Sequence, residues 1–412
     1  MNRFAAVLAA DSATTVTQWK GGKREERYFK GANKIFQFSD HHPVGLMIFD
    51  GAEVMGVPWE IVIKEFRKEL GEKSFNHLTD YAEEFLRYLS ENGHLFPDSK
   101  QRAYLIGAST RAALDCLPEL PNNKLEAEEA RLLIDEGIQD HLKDLENNDL
   151  PYFVPSEIEE DALSGMVENV ASELESWLER LPFQVDCNAL AKIGIKVALR
   201  NPERYMGKTG LVFSGFGDLE IFPTMAEYHA YAVVGGHLLS TAKQPATISH
   251  DVQSHIEGFA QYSMTDTFIS GLGFEVYYRL ATALEDEHKK LADTLCDNFG
   301  LSADRQGIEQ ALKETREGID HRLFEVARTN HALPLRNVLS VLPIDEMTEL
   351  AETLVQLESL KEKVTKPSES VGGPIDVAVI TKSEGLVWIK RKHFFQSDLN
   401  PRFMLRKSAL YK

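Results

Sequence analysis

The stretch FAAVLAADSATTV, from Phe4 to Val16, decides how the rest of the chain is interpreted. The apolar run Phe4–Ala10 has the length of a buried strand, and the β-branched residues of Ala13–Trp19 favour a second strand. Asp11 and Ser12 lie between the two runs. The pattern therefore predicts two consecutive strands with a carboxylate and a hydroxyl group at their junction.

The residues that follow predict two more strands. The charged, glycine-containing segment Lys20–Gly31 is interpreted as a loop or a hairpin tip. Lys34–Ser39 alternates in polarity, and Val44–Phe49 is an apolar run that ends before Gly51. Four short strands with turn residues between them are typical of antiparallel pairing.

The period of the apolar residues then changes from two to that of a helix. The segment from Pro58 to Leu70 predicts one amphipathic helix, and Ser74–Gly93 predicts a second, with Ser74 or Asn76 as its cap. Helices and antiparallel strands in separate blocks indicate an α+β fold.

Five segments describe the organisation of the chain. Residues 1–97 carry the first strands and helices, and residues 98–205 form a mostly helical insertion. Residues 206–257 return to strands: Thr209–Met225 is interpreted as two runs joined by a tight turn at Gly215–Asp218, and Glu227–Ser240 extends the sheet. Residues 258–365 are helical, and residues 366–412 contain a linker, a closing hairpin and a basic tail.

Charge is concentrated in the helical insertion. The 412 residues contain 45 Lys and Arg against 64 Asp and Glu, which gives a formal net charge of −19. Residues 121–180 alone carry 17 acidic and four basic side chains. This segment is interpreted as a solvated helical face, with a docking surface for a basic partner as the alternative. Such an acidic chain argues against general nucleic-acid binding, which depends on basic contacts to phosphate.

The composition also indicates the compartment. Cys116, Cys187 and Cys296 are widely separated, so neither a disulfide framework nor a zinc site is predicted, and a reducing cytoplasm is favoured. We expect no membrane span, because no stretch of about 18 apolar residues occurs, and no signal peptide, because Asp11 interrupts the first apolar run.

Four local motifs, in this order along the chain, resemble those of the proteasome core subunit and its bacterial peptidase relative HslV, which are N-terminal-nucleophile hydrolases. The motifs are the strand end LAADSATT (Leu8–Thr15), Lys34 in NKIF, the glycine-containing turn FDGAEVMGVPWE (Phe49–Glu60), and SVGGPIDVAVITKSEGLVWI (Ser370–Ile389). Together they cover about half of the chain. The acidic insertion and much of the helical block at residues 275–340 fall outside the family pattern.

The resemblance implies a four-layer sandwich of two antiparallel sheets between helices, here with large helical insertions. It also implies amide hydrolysis by an N-terminal Thr, Ser or Cys whose own α-amine is the base. In this scheme Lys34 activates the nucleophile electrostatically and Asp11 orients Lys34. Gly51, or a neighbour at position 50 or 52, presents a backbone N–H to the oxyanion, and Ser370 supports the network in place of the family serine.

The chain departs from the family at its nucleophile. The resemblance places that residue about sixteen positions before Asp11, upstream of Met1. One interpretation is a threonine-type peptidase whose given sequence is shortened or begins at an internal start codon. The alternative is a non-catalytic structural or interaction protein on the same fold. A hydrolase of small amides is a third possibility. We expect a peptide or small-amide substrate, a homo-oligomer with a possible unfoldase partner, and no cofactor.

Other polar clusters are given structural interpretations. The adjacent His41 and His42 are assigned to a surface loop. The cluster around His250 and His255 lacks the helical spacing of a metal site, so we expect no metal ion there. The basic tail Lys390–Lys407 is interpreted as an exposed end, with contact to the acidic insertion of a neighbouring subunit as the alternative.

Overall fold

The computed structural model describes residues 1–20, 23–118, 127–146, 148–299, 305–365, 371–393, 395–396 and 399–409. The chain has an α+β fold with antiparallel sheets, as the sequence predicts. No helix in the described ranges combines the length and the apolar character that a membrane span requires.

The strands are mostly short. They are β1 (Ala6–Ala10), β2 (Ala13–Lys20), β3 (Lys23–Lys30), β4 (Ile35–Gln37), β5 (Val44–Asp50), β6 (Glu53–Val54), β7 (Val57–Pro58), β8 (Thr209–Gly215), β9 (Thr224–Val234), β10 (His237–Ala242), β11 (Ala246–Thr247), β12 (Asp376–Thr381) and β13 (Gly385–Lys390). The helices are α1 (Trp59–Leu70), α2 (Leu78–Glu91), α3 (Asp98–Asp115), α4 (Ala127–Glu146), α5 (Ser156–Gly165), α6 (Val167–Leu178), α7 (Cys187–Arg200), α8 (Pro202–Tyr205), α9 (Ser263–Ser270), α10 (Phe274–Phe299), α11 (Arg305–Ala327), α12 (Leu333–Leu339), α13 (Ile344–Thr365) and α14 (Pro401–Ala409); a π-helical turn, Arg328–Ala332, joins α11 to α12.

The chain forms two compact units. The first contains residues 1–35, 221–223 and 247–412, and the second contains residues 36–220 and 224–246. In the first unit, β12 lies between β1 and β13, and α13 packs on β1 and β12. The strands β2 and β3 form a separate two-stranded sheet.

The second unit combines a sheet with a helical bundle. Its strand order is β10-β9-β8-β5-β4, with β11 paired to β9. The buried side chains of α1 and α2 pack on β5, β8 and β9 and form an aromatic core that includes Trp59, Phe66, Phe85 and Phe213. Helices α3 to α8 surround a second core, which extends onto β9 and β10.

Two details of the sheets differ from the sequence prediction. Lys20–Gly31 is largely strand, because β3 pairs with β2 residue for residue from Ala13↔Lys30 to Lys20↔Lys23. A two-stranded sheet leaves faces open to water, and Tyr28 and Phe29 of β3 are exposed. Gly21 and Gly22 lie outside the described residues.

The segment after β8 is also different. Residues 216–223 are a loop rather than a tight turn, and β9 begins at Thr224. The loop is held by backbone bonds: the N–H groups of Phe216 and Asp218 donate to the carbonyl oxygens of Pro43 (3.0 Å) and Phe75 (2.9 Å). The hairpin turn lies instead at Gly235 and Gly236, both with positive φ, between β9 and β10. The cap of α2 is His77, and neither Ser74 nor Asn76 takes that position.

Candidate functional site

A buried carboxylate lies at the junction of β1 and β2. Asp11 follows β1 directly, and its side chain is 10% exposed. Its Oδ1 accepts a hydrogen bond from Lys34 Nζ at 2.5 Å. Its Oδ2 accepts from the backbone N–H groups of Gly372 (2.8 Å) and Ala13 (3.1 Å). Three donors therefore fix the position of the carboxylate.

The neighbouring Ser12 ties the same segments together. It is completely buried, and its Oγ donates to the carbonyl oxygen of Pro374 at 2.5 Å. Its N–H donates to the carbonyl oxygen of Gly372 at 3.2 Å, and its own carbonyl accepts from the N–H of Ala32 at 3.1 Å. Asp11 and Ser12 thus join three segments that are far apart in sequence: residues 11–13, 32–34 and 371–374.

Glycine is required where the third segment turns. Gly373 has φ 82°, a conformation that other residues rarely adopt. A Cβ atom there would lie 2.9 Å from the Cβ of Lys30. The glycine pair therefore allows the segment to approach β3 closely while Gly372 presents its N–H to Asp11.

The pair of Asp11 and Lys34 is chemically suited to act on a neighbouring group. Lys34 is 24% exposed, so its ammonium is partly shielded from water. A positive charge in such a position favours the deprotonated form of a nearby nucleophile. Removing an ion pair from water is costly unless hydrogen bonds satisfy the remaining oxygen atoms, as the two backbone N–H groups do here.

A second carboxylate–lysine pair lies one strand away. Asp376 is the β12 residue that pairs with Ala10 of β1, and it is 3% exposed. Its Oδ1 accepts from the backbone N–H of Lys392 at 2.8 Å, and its Oδ2 accepts from Lys392 Nζ. Sequence analysis missed this pair. The available signal was an acidic residue at the start of the apolar run Asp376–Thr381.

The remaining predicted site residues are Gly51 and Ser370. Gly51 belongs to the second unit, where it follows β5. A Cβ atom at Gly51 would lie 2.2 Å from Thr209 Oγ1 and 2.9 Å from the carbonyl oxygen of Lys208, so close packing on β8 accounts for the glycine. Its role at an oxyanion stays a prediction. Ser370, with Ser368 and Glu369, lies outside the described residues.

The first two residues are held in a buried position. The α-amine of Met1 donates to the carbonyl oxygen of His255 at 2.7 Å, and burial lowers the pKa of this amine to about 5. Asn2 Nδ2 donates to the carbonyl oxygens of Leu339 and Leu342, at 3.0 Å each. An amine with this pKa is neutral at pH 7.

The histidine clusters have structural partners. His42 Nε2 lies 3.0 Å from the carbonyl oxygen of Glu72, and the ring of His250 packs against Phe222 with 5.4 Å between ring centroids. His255 Nε2 lies 2.9 Å from Glu257 Oε2. Among the described residues, no group of three or more His, Cys, Asp or Glu side chains is arranged to hold a metal ion.

Comparison with known proteins adds no relative: no protein-family model, no curated protein and no solved structure matches this chain significantly. The functional argument therefore depends on the geometry around Asp11.

Proposed function

We propose that this chain is an amide hydrolase of the N-terminal-nucleophile type, with a threonine-type peptidase as its most specific form. The observation that carries the proposal is the 2.5 Å pair of Lys34 Nζ and Asp11 Oδ1, held by the N–H of Gly372. Three of the four motifs that resemble the proteasome and HslV meet at this pair. Their sandwich architecture is part of the same proposal.

In the proposed mechanism Lys34 stabilises the deprotonated form of a nucleophile, and Asp11 holds Lys34 in position. The α-amine of the first residue takes the proton of the hydroxyl or thiol as its oxygen or sulfur attacks the carbonyl carbon of an amide. The C–N bond then breaks as the same proton passes from the α-amine to the leaving amine. Water then hydrolyses the acyl intermediate and regenerates the nucleophile. The resemblance assigns the nucleophile to an N-terminal residue upstream of Met1, and it assigns the oxyanion donor to Gly51.

The test begins with the protein made from its native gene, including any in-frame codons upstream of Met1. Intact mass and N-terminal sequencing identify the mature first residue. A peptide β-lactone, which acylates N-terminal threonine, and fluorogenic peptides then report on the nucleophile. We expect a mature Thr, Ser or Cys, acylation of that residue, and turnover of peptides or small acyl amides.

The variant Lys34→Met checks the role of the ammonium. We expect turnover to fall at least about 100-fold, because a charge that stabilises the reacting group is lost. Lys64→Met is the matched control, since Lys64 Nζ also lies 2.5 Å from a carboxylate, Glu60 Oε1, but on the exposed surface of α1. Full activity of Lys34→Met, or a mature N-terminus at Met1 with no turnover, would overturn the proposal.

An interaction protein on the same fold is the second candidate. The exposed apolar side chains of α10 and α11, among them Val276 (69%) and Val326 (52%), favour it. Monomeric, catalytically active protein would argue against this candidate.

A further inference from the structure

A cleft of about 420 Å³ lies in the second unit, where α7 ends and α8 begins. Its walls come from the segment that precedes α5, from β9 and from residues 200–204. Small-molecule sites in proteins have volumes of about 300 to 1,000 Å³. The cleft is therefore large enough to hold a small organic molecule.

One wall of the cleft is apolar. The rings of Phe153 and Tyr231 stack on each other, with 5.7 Å between their centroids and an interplanar angle of 22°. The hydroxyl of Tyr231 has a partner, because it lies 3.3 Å from Thr241 Oγ1. Pro151 and Pro202 also line the cleft. Such a wall suits an apolar ring of a ligand, which aromatic side chains contact by stacking or edge-on.

The lining also contains an arginine that is mostly shielded from water. Arg200 is the last residue of α7, and its side chain is 9% exposed. Its Nε donates to the carbonyl oxygen of Asn148 at 2.8 Å. Its Nη1 donates to Glu159 Oε1 at 2.5 Å and to the carbonyl oxygen of Lys196 at 3.1 Å. These three bonds fix the guanidinium between the segment before α5, α5 itself and α7.

Two hydrogen-bond donors of this arginine are left over. A guanidinium has five N–H groups, one on Nε and two on each Nη atom. The three bonds use those of Nε and Nη1, so the N–H groups of Nη2 have no partner among the described residues. Nη2 is not one of the described side-chain atoms that lack a partner and are sealed from solvent. Its N–H groups therefore face open space, and the cleft is the space that Arg200 lines.

The charges of the lining favour an anion over a cation. Arg204 adds a second guanidinium, of which Nη2 donates to Asp115 Oδ2 at 2.8 Å. Glu203 is the acidic residue among those that line the cleft, and Lys208 Nζ donates to its Oε1 at 2.7 Å. A cation in the cleft would therefore meet two guanidinium groups and a carboxylate that a lysine already neutralises.

We propose that this cleft binds a small carboxylate with an aromatic or cyclic apolar body, whose oxygen atoms accept hydrogen bonds from Arg200 Nη2. Bonds between a guanidinium and a carboxylate are charge-assisted and roughly twice as strong as those between neutral groups. Glu159 occupies Nη1 and the ligand occupies Nη2, so Arg200 bridges two carboxylates. The apolar body then lies against Phe153 and Tyr231. The assignment is independent of the proposed hydrolase chemistry, because Asp11 belongs to the first unit.

The arginine is positioned before a ligand arrives. Its three acceptors come from three parts of the second unit, so the guanidinium need not be ordered on binding. Binding is tighter when the groups of the site are fixed beforehand, because less conformational entropy is lost. Water is the other acceptor available to Nη2, but only a ligand with an apolar body also covers the rings of Phe153 and Tyr231.

Saturation-transfer NMR on the full chain tests the proposal, with benzoate as the probe and benzamide as its neutral analogue. We expect benzoate to bind with a Kd of about 1 mM or tighter, as a good ligand of this size does, and benzamide to bind at least about 10-fold more weakly.

The variant Arg200→Lys keeps a positive charge beside Glu159 but lacks the second nitrogen of the fork. We expect it to weaken benzoate binding at least about 10-fold. Arg102→Lys is the matched control, because Arg102 Nη2 donates to the carbonyl oxygen of Gly165 at 2.8 Å, in the same unit but outside the lining of the cleft.

Each outcome decides the question. The proposal is overturned if benzoate does not bind at about 10 mM, if benzamide binds equally well, or if Arg200→Lys leaves binding unchanged. An equal loss in Arg102→Lys also overturns it. If Arg200→Lys fails to fold, crystals of the wild-type protein with 4-bromobenzoate replace it. The anomalous signal of bromine should then place the ring in the cleft, with the carboxylate at Arg200 Nη2; a ring elsewhere, or none, overturns the proposal.

Discussion

The junction around Asp11 and the hairpin of α10 and α11 depart from the usual distribution of side chains in opposite ways. At the junction a carboxylate and an ammonium lie in the interior, where apolar groups are common. On the hairpin, valine and leucine lie in water, where charged groups are common. The comparison shows how each departure points to function: a satisfied charge inside suggests chemistry, and an uncovered apolar face suggests a partner.

The largest effect is expected at the junction. Asp11→Ala removes the acceptor of Lys34 Nζ and of the N–H groups of Gly372 and Ala13. We expect the free energy of unfolding to fall by about 3 kcal/mol, because a partly buried ammonium and two N–H groups lose their partner. Urea unfolding measures the change. Glu60→Ala, which breaks the exposed 2.5 Å pair with Lys64, should cost no more than about 0.5 kcal/mol. Equal losses would contradict the distinction between the two pairs.

In a chain that begins at Met1, a smaller effect is expected from the buried α-amine of that residue. Burial lowers its pKa in the folded state to about 5, from about 8 in the unfolded chain. Between these values the unfolded state binds a proton that the folded state does not bind, so stability rises with pH. Raising the pH by one unit inside this window, from 6 to 7, should increase the free energy of unfolding by up to about 1.4 kcal/mol.

Urea unfolding across this pH range measures the total slope, to which histidines also contribute. The rate of acylation of the α-amine isolates the group itself. We expect the native rate to follow a pKa near 5 and the rate in denaturant to follow a pKa near 8. A native pKa near 8 would mean that this amine is exposed to water in the folded protein, and the prediction would be wrong.

The same two regions show how far the sequence alone leads. The resemblance to the proteasome and HslV assigns Asp11 and Lys34 to one site, because each belongs to a short motif that can be compared without an alignment. Asp376 and Lys392 were missed, because an acidic residue at a strand end and a basic residue in a basic tail are both ordinary there. The sequence of Lys20–Gly31 favours a loop although β3 lies there, since strands of a two-stranded sheet lack the alternation that a one-sided core imposes.

The exposure of apolar side chains on α10 and α11 could not be predicted from the sequence for a different reason. Val276 and Leu280 resemble core positions of an amphipathic helix, and so do Ile319 and Val326. Their exposure depends on which side of each helix contacts its neighbours, and the sequence alone does not give those contacts. Sequence periodicity reports that a helix has an apolar stripe, while tertiary structure decides what covers it.

The smallest effect is expected on the hairpin itself. Val276→Ser, measured by urea unfolding at a concentration where the protein is a single chain, should change the free energy of unfolding by less than about 0.5 kcal/mol, because the side chain is 69% exposed. Ala292→Leu, at a position of α10 that is 1% exposed, should lower the free energy of unfolding by about 1 to 3 kcal/mol by overpacking. A large loss for Val276→Ser would mean that this side chain is covered within one chain, and the contrast between the exposed and the buried positions of α10 would fail. A negligible change would show that this side chain adds little to the stability of a single chain.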